Sequence, residues 1–474
     1  MENTDKIWRL VDAKKDDFIT LSDTIWGTPE LNFSEFRSAA EHTAMLRAQG
    51  FRVTENIAGI ATAMVGEAGE GGPVIAILGE YDALPGLSQQ AGMAEPQPVE
   101  GQDGKGHGCG HNLLGSAALL AATAVKDYLA ANGLPGRVRY YGCPAEEGGA
   151  GKVFMVRDGA FDDVDIAITW HPAPVSAVNA TPSLANKTVD FSFSGRAAHA
   201  SSAPHLGRSA LDAVELMNVG VNYMREHMPQ GARVHYAIID AGGVAPNVVQ
   251  AHAKVRYSIR AIDLPMLTPL VARVERIAEG AAMMTETTVT HKVISGVSDL
   301  LANAPLSAAM QDNFVRLGPV PFDDEDRAFA EKIRATLRPE DIAAAFARYA
   351  LPVDRSKPLC DFIAPLGSSG GAGNVGSTDL GDVSWVVPTV YARGATYAIG
   401  TPGHSWQLTA QGKTPAAHKG MVHIAKVMAG TAVDALNDPT LIARAKADHA
   451  ERTGGIAYVC PLPKDLPAPA GKMG

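Results

Sequence analysis

Cysteine is scarce in this chain: Cys109, Cys143, Cys360 and Cys460 are the whole complement in 474 residues. So few thiols exclude a disulfide framework, fit a reducing, cytoplasmic setting and leave each sulfur free for other chemistry. Long apolar runs are missing too. No window approaches eighteen uninterrupted apolar residues, so no membrane span is expected. The opening MENTDKIWRLVDAKKDD is charged from the start and lacks the apolar centre of a signal peptide. Excess basic charge is also absent. A formal net charge of −10 argues against nucleic acid or an anionic membrane as the main partner. No internal repeat is visible. What remains is a chain with 46% hydrophobic residues, long enough for large cores and two or more domains.

Four segments share one pattern. PVIAILGEYDALPG is an apolar run of strand length followed by Glu80 and Asp82. GRVRYYGCPAEEGG delivers Glu146 and Glu147, DVDIAITWHP ends on His171, and GATYAIGTPGHSW ends a few residues late on His404. Each reads as a buried strand with its polar residues just beyond the carboxyl end. In open α/β sheets that edge is where ligands bind. Between the first two strands, HNLLGSAALLAATAVKDYLAANGLPG reads as a buried helix stopped by Gly133 and Pro135. Strand, helix, strand in this order predicts an α/β fold, a mainly parallel sheet flanked by helices.

From residue 186 the rhythm changes to strand, helix, strand, strand, helix, strand through TVTHKVISG. That is the ferredoxin-like β-α-β-β-α-β order. The expected organisation is a first part over 1–185, an inserted ferredoxin-like domain over 186–297, and a return over 298–474. The returning part opens with DDEDRAFAEKIRATLRPEDIAAAFARYA, read as solvated helix. It continues through a glycine-rich loop over 367–376, read either as a connector or as a wall of the site.

GHGCGHNLLG, residues 106–115, sits in the loop that opens the buried helix. Cys109 and His111, with Glu147, His171 and His404, supply sulfur, nitrogen and oxygen donors suited to borderline transition metals. Five dispersed donors exceed the needs of one tetrahedral ion and suit two ions sharing a bridge, about 3.5–4 Å apart. A carboxylate that binds no metal must then accept the proton of an activated water. Glu146 and Glu147 offer both parts, and spacing alone leaves open which is which. Each residue has a plain alternative as well: a structural histidine, a solvated Glu-Glu turn, a buried thiol, a capping Asp82. Cys109 could also be a nucleophile flanked by His107 and His111, though no third orienting group is evident.

At HGCGHN and PAEEGGAG the sequence resembles the M20 metallopeptidases, in their aminoacylase/carboxypeptidase-like amidohydrolase branch. The likeness runs over nearly the whole chain. It implies hydrolysis of the amide of a small N-acyl or N-aroyl amino acid, two divalent metal ions (Mn2+ or Zn2+), and a homodimer or a heterodimer with a related subunit. It implies Cys109 as the bridging ligand, with His111, Glu147, His171 and His404 completing the set, and Glu146 as general base. Asp82 corresponds to an acid that orients a ligand. His199 corresponds to a histidine that reaches the partner subunit's site, and Asn247 and Arg260 to residues that hold the substrate carboxylate. Arg256, on the same strand face as Arg260, competes for that last role. Asn112 stands where the family pattern has Asp, and His107 matches no ligand position.

Overall fold

The computed structural model describes residues 2–100, 103–179, 181–368 and 376–471. Its strands are β1 (Arg52–Glu55), β2 (Met64–Glu70), β3 (Val74–Glu80), β4 (Gly136–Cys143), β5 (Ile166–Ala173), β6 (Ala177–Val178), β7 (Ala185–Ser194), β8 (Arg233–Asp240), β9 (His252–Ala261), β10 (Thr288–Val297) and β11 (Thr389–Ala395). The larger sheet has the order β1-β2-β4-β3-β5-β11-β6. Its centre, β4-β3-β5-β11, is parallel. The outer pairs β1-β2, β2-β4 and β11-β6 are antiparallel. The fold is therefore the expected α/β sheet with a parallel heart and antiparallel flanks.

Both faces of that heart are covered, which is why β3 and β5 read as near-continuous apolar runs. Ile75, Ile77 and Val138 face one core, and Ala76, Leu78 and Tyr141 face the other. The helix His111–Asn132 lies in the first core against the helices Glu2–Gly27 and Pro415–Asn437. By length and composition it could cross a membrane, but 83% of its apolar window is buried inside the protein.

Two glycines set how closely this helix approaches the sheet. At Gly115 an added Cβ would lie 2.5 Å from the Glu80 carbonyl oxygen and 2.7 Å from His42 Nε2. Gly110 caps the helix start at φ 77°, where an added Cβ would meet Pro172 Cγ at 2.9 Å. Only a residue without a side chain fits both demands. His111, the first helical residue, is thereby held over the carboxyl ends of β3 and β5.

The second sheet, β10-β7-β9-β8, is antiparallel throughout. With the helices Ala210–Met224 and Leu264–Thr285 it follows the β-α-β-β-α-β order and has its own core, including Phe191, Val214, Tyr257 and Val274.

Two expectations need correction. The strand near His404 is not GATYAIG but the preceding TVYARGA; the TYAI run leaves the sheet and packs with Ile342 and Phe346 instead. The segment 323–350 forms two helices, Asp324–Arg334 and Pro339–Ala347. They bury Ala330, Ile333, Ile342 and Phe346, so the stretch is amphipathic and not simply solvated. Of the glycine-rich loop, residues 369–375 lie outside the described residues.

Candidate metal centre

Parallel register carries the carboxyl ends of β3, β4, β5 and β11 to one edge. Glu80 lies opposite Cys143, and His171 opposite Arg393. Just past β4 the chain turns through Ala145 and Ala150, both at positive φ (60° and 57°), on either side of Glu146 and Glu147. Non-glycine residues in this conformation cost on the order of 1–3 kcal/mol each and persist where surrounding contacts over-determine them. Here buried Glu35 supplies such contacts. Its Oε1 accepts from Ala145 N at 2.9 Å and Phe33 N at 3.0 Å, and its Oε2 accepts from Thr62 Oγ1 at 3.1 Å. His404 is also at positive φ, 52°, and its N–H donates to the Gly108 carbonyl at 3.0 Å, tying it to the GHGCGH turn.

The donors gather in two triads that share one sulfur. Cys109, His111 and His171 present ligand atoms within 4.8 Å of one another, as do Cys109, Glu147 and His404. Cys109 Sγ lies 3.3 Å from His171 Nε2, and His404 Nε2 lies 3.3 Å from Glu147 Oε2. Hydrogen bonds on the far side of each ring fix what faces the centre. His171 Nδ1 is 2.8 Å from the Pro172 carbonyl, which can only accept, so the ring's Nε2 presents a lone pair. His111 Nδ1 donates to Asp82 Oδ1 at 2.8 Å, which turns its Nε2 toward the centre. His111 Nε2, 3.3 Å from Glu80 Oε2, and Glu147 Oε1 are buried without a hydrogen bond. Orphaned buried donors and acceptors of this kind are rare unless another partner occupies the space between them. Sulfur, two imidazoles, a carboxylate and a third imidazole at the rim form a donor set that fits a pair of divalent cations.

Electrostatics divide the donors. Against the effect of burial, Cys109 and Asp82 hold His111 well above its ordinary pKa, and hydrogen bonds with Cys109 and Glu147 raise His404 to about 10. Both rings must therefore give up a proton when a cation enters. Burial and the neighbouring Arg393 cation hold His171 well below its ordinary pKa, in the neutral form a ligand needs. Burial and the Glu147 carboxylate push the Cys109 thiol up, which weighs against a free nucleophilic thiolate. Burial, followed by Glu80, Asp379 and Glu147, raises Glu146 well above the usual carboxylate range.

Asp82, fully buried, also accepts from Glu147 N at 2.9 Å, so one carboxylate orients residues of both triads. The Asn112 side chain is turned away to other partners; its Nδ2 donates to Ser22 Oγ and to the Gly412 carbonyl, both at 3.0 Å. His107 is buried with Nε2 3.0 Å from the Ile25 carbonyl, outside both triads. Arg256 is engaged by Asp190, Nε to Oδ1 at 2.6 Å and Nη2 to Oδ2 at 3.0 Å, whereas among the described residues no carboxylate pairs with Arg260. His199 and Asn247 lie on adjoining loops, with Ala200 N donating to the Asn247 carbonyl at 3.0 Å. Both are exposed, and with Arg260 they lie outside the cavity walls of the metal donors in the same chain. His199 Nδ1 accepts backbone N–H groups of Ser201 and Ser202, each at 3.3 Å, so its proton resides on Nε2.

Four residues here were not singled out as site residues from sequence: Glu35, Lys152, Asp379 and Arg393. Glu80, noted only as following its strand, joins His111 and Glu146 in a third group of donors. Lys152 Nζ bridges Glu80 Oε1 at 2.6 Å and Asp379 Oδ1 at 2.7 Å in full burial. Cys109, Glu146, Glu147, His171, Arg393 and His404 together line a cavity of about 200 Å³.

The family model for peptidase family M20/M25/M40 matches residues 76–351. The chain belongs to that family. It is 46% identical to the B subunit of p-aminobenzoyl-glutamate hydrolase from Escherichia coli strain K12, over 98% of this chain and 99% of that protein. It is 30% identical to mouse Xaa-Arg dipeptidase, over 89% of this chain and 86% of that one. Among solved structures, a Staphylococcus aureus protein described as a putative aminohydrolase aligns with TM-score 0.65 at 16% identity, over 91% of this chain and 100% of that one. A Bacillus subtilis dinuclear metal-binding peptidase of the M20 family aligns with TM-score 0.56 at 18% identity, over 89% and 99%. The chain is thus an M20 enzyme, an amidohydrolase whose family binds divalent metal ions.

Proposed function

We propose that this M20 enzyme cleaves the amide bond of N-acyl or N-aroyl amino acids with two divalent ions and Glu146 as general base. The observation that carries the reading is the pair of donor triads meeting at Cys109 Sγ, with Glu146 beside them on the same sheet edge. Cys109, His111 and His171 would hold one ion, and Cys109, Glu147 and His404 the other. Such a pair, Zn2+ or Mn2+, supplies Lewis acidity toward the amide carbonyl and a water acidic enough to ionise near neutral pH.

The chain's own groups do the rest. Glu146, with a raised proton affinity, takes the proton of the attacking water on a carboxylate oxygen and passes it to the leaving nitrogen. Asp82 keeps His111 and Glu147 in place during that transfer. His199, with its proton on an outward Nε2, is suited to donate to the oxyanion of a neighbouring subunit's tetrahedral intermediate. Asn247 and Arg260 would hold a substrate carboxylate from the same inserted unit. The first substrate to test is p-aminobenzoyl-glutamate, the compound in the name of the 46% identical relative. Glu146→Gln should lower turnover by about 10²–10⁴-fold while metal content stays at the wild-type level. Retained turnover in a metal-replete Glu146→Gln protein would overturn the assignment.

A second reading concerns assembly. That relative is named as one of two kinds of subunit, A and B, which supports a chain that works with a related partner. Turnover by the purified chain, alone and with a related A-type chain added, separates a homodimer from a heteromer.

A further inference from the structure

Two cations near this sheet are matched by acids. Lys152 has Glu80 and Asp379, and Arg139 forms close pairs with Glu67 and Asp163. Arg393 has none. It stands on β11, beside His171 of β5 in parallel register, so both side chains leave the sheet on the same face. It lines the cavity with Cys109, Glu146 and His404. Its Cζ lies 4.7 Å from the centroid of the Tyr391 ring. That contact neutralises no charge and uses no N–H donor. The ionisable groups that chiefly face it are the Tyr391, Tyr349 and Tyr397 phenols and the Cys109 thiol. Among the described residues no Asp or Glu forms an ion pair with it.

A guanidinium held partly out of water without a counter-ion is costly, and in a cavity wall it is placed to receive an anion. Its fork of N–H donors matches a carboxylate with two parallel bonds. We propose that Arg393 anchors a carboxylate on the amino-acid half of the substrate, from the same chain that carries the metal donors. The inference rests on the amide-hydrolase reading, in which every substrate bears such a carboxylate. It assigns an anchor distinct from Asn247 and Arg260, which lie on the inserted unit. Exposed or partly exposed in a single chain, those residues would complete the grip from outside; Arg393 is already in the wall. It also gives the cavity a means of discrimination. An amide lacking the carboxylate would cover the guanidinium and leave it unpaired.

The test uses the metal-loaded full-length enzyme, wild type and Arg393→Met, with N-benzoyl-L-glutamate, its two monoamides and its diamide. The ratio of kcat/KM for the diacid to that for the diamide should fall about 100-fold in Arg393→Met, the scale of a lost buried charge pair. The monoamide on which that loss disappears identifies the carboxylate as α or γ. Arg393→Lys keeps charge but not the fork and should lower the same ratio about 10-fold, which keeps the test usable if the Met variant fails to fold or loses metal. A structural role would depress all four substrates alike and leave the ratio at the wild-type value; that result overturns the inference.

Calorimetric binding of N-benzoyl-L-glutamate in a Glu146→Gln background separates this from the proposed reaction. If wild type hydrolyses no N-acyl amino acid yet Arg393→Met weakens binding about 100-fold, the anchor stands and the reaction falls. If hydrolysis is robust and both ratio and binding ignore Arg393, the anchor falls and the reaction stands.

Discussion

The Nδ1–H of His111 is donated to Asp82 Oδ1 at 2.8 Å, between two fully buried side chains. This bond fixes the ring so that Nε2 faces the donors around Cys109. Partners of this kind change metal affinity by about 10–100-fold when removed. Asp82→Asn is expected to weaken metal binding by that factor, with the loss read by competition against a chelating indicator. An affinity equal to wild type would remove Asp82 from the account.

Lys152 is a second structural pivot. Its ammonium sits between Glu80 and Asp379 with side-chain exposures of 0%, 8% and 0%. Removing one member of a buried charge cluster strands the others in low dielectric. Lys152→Met should destabilise the protein by about 3–5 kcal/mol, read as a lower urea midpoint at pH 7.

Two histidines far from the proposed ligand roles predict how stability depends on acid. Burial lowers the pKa of His42 and of His423 to about 4, from an ordinary value of 6.5. Between pH 6.5 and 4 the unfolded chain therefore binds more protons than the folded one, and stability falls as pH is lowered. Each group contributes up to about 1.4 kcal/mol per pH unit inside that window. His423→Gln should flatten the decline measured by urea unfolding at pH 4, 5, 6 and 7. Its Nε2 donates to the Gly318 carbonyl at 2.7 Å, a bond that the glutamine amide can imitate.

Much of this architecture is legible in the residues. The runs VIAIL and IAITW have no polar face because both sides of the sheet are covered, and their polar residues fall past one end because the strands are parallel. The helix and strand order of 186–297 is equally plain. The antiparallel flanks are less so: β1 and β6 are short, and no alternation marks them. The misplaced strand near His404 shows the same limit, since TYAI is as apolar as a strand yet buries itself against helices. Single charged residues are hardest. Arg393 inside TVYARGA and Lys152 after PAEEGGAG look like ordinary surface cations until the sheet register and the helix beneath the site reveal what surrounds them. The choice between Arg256 and Arg260 likewise needed the cross-strand neighbour Asp190.

The central claim is that one sulfur joins two cation sites. Crystals of the metal-loaded enzyme, with anomalous data collected on either side of the metal edge and elemental analysis of the same sample, test it directly. The account predicts two ions per chain, both bonded to Cys109 Sγ, one also to His111 and His171 and the other to Glu147 and His404. An active preparation with a single ion, or with ions that do not touch that sulfur, would contradict it.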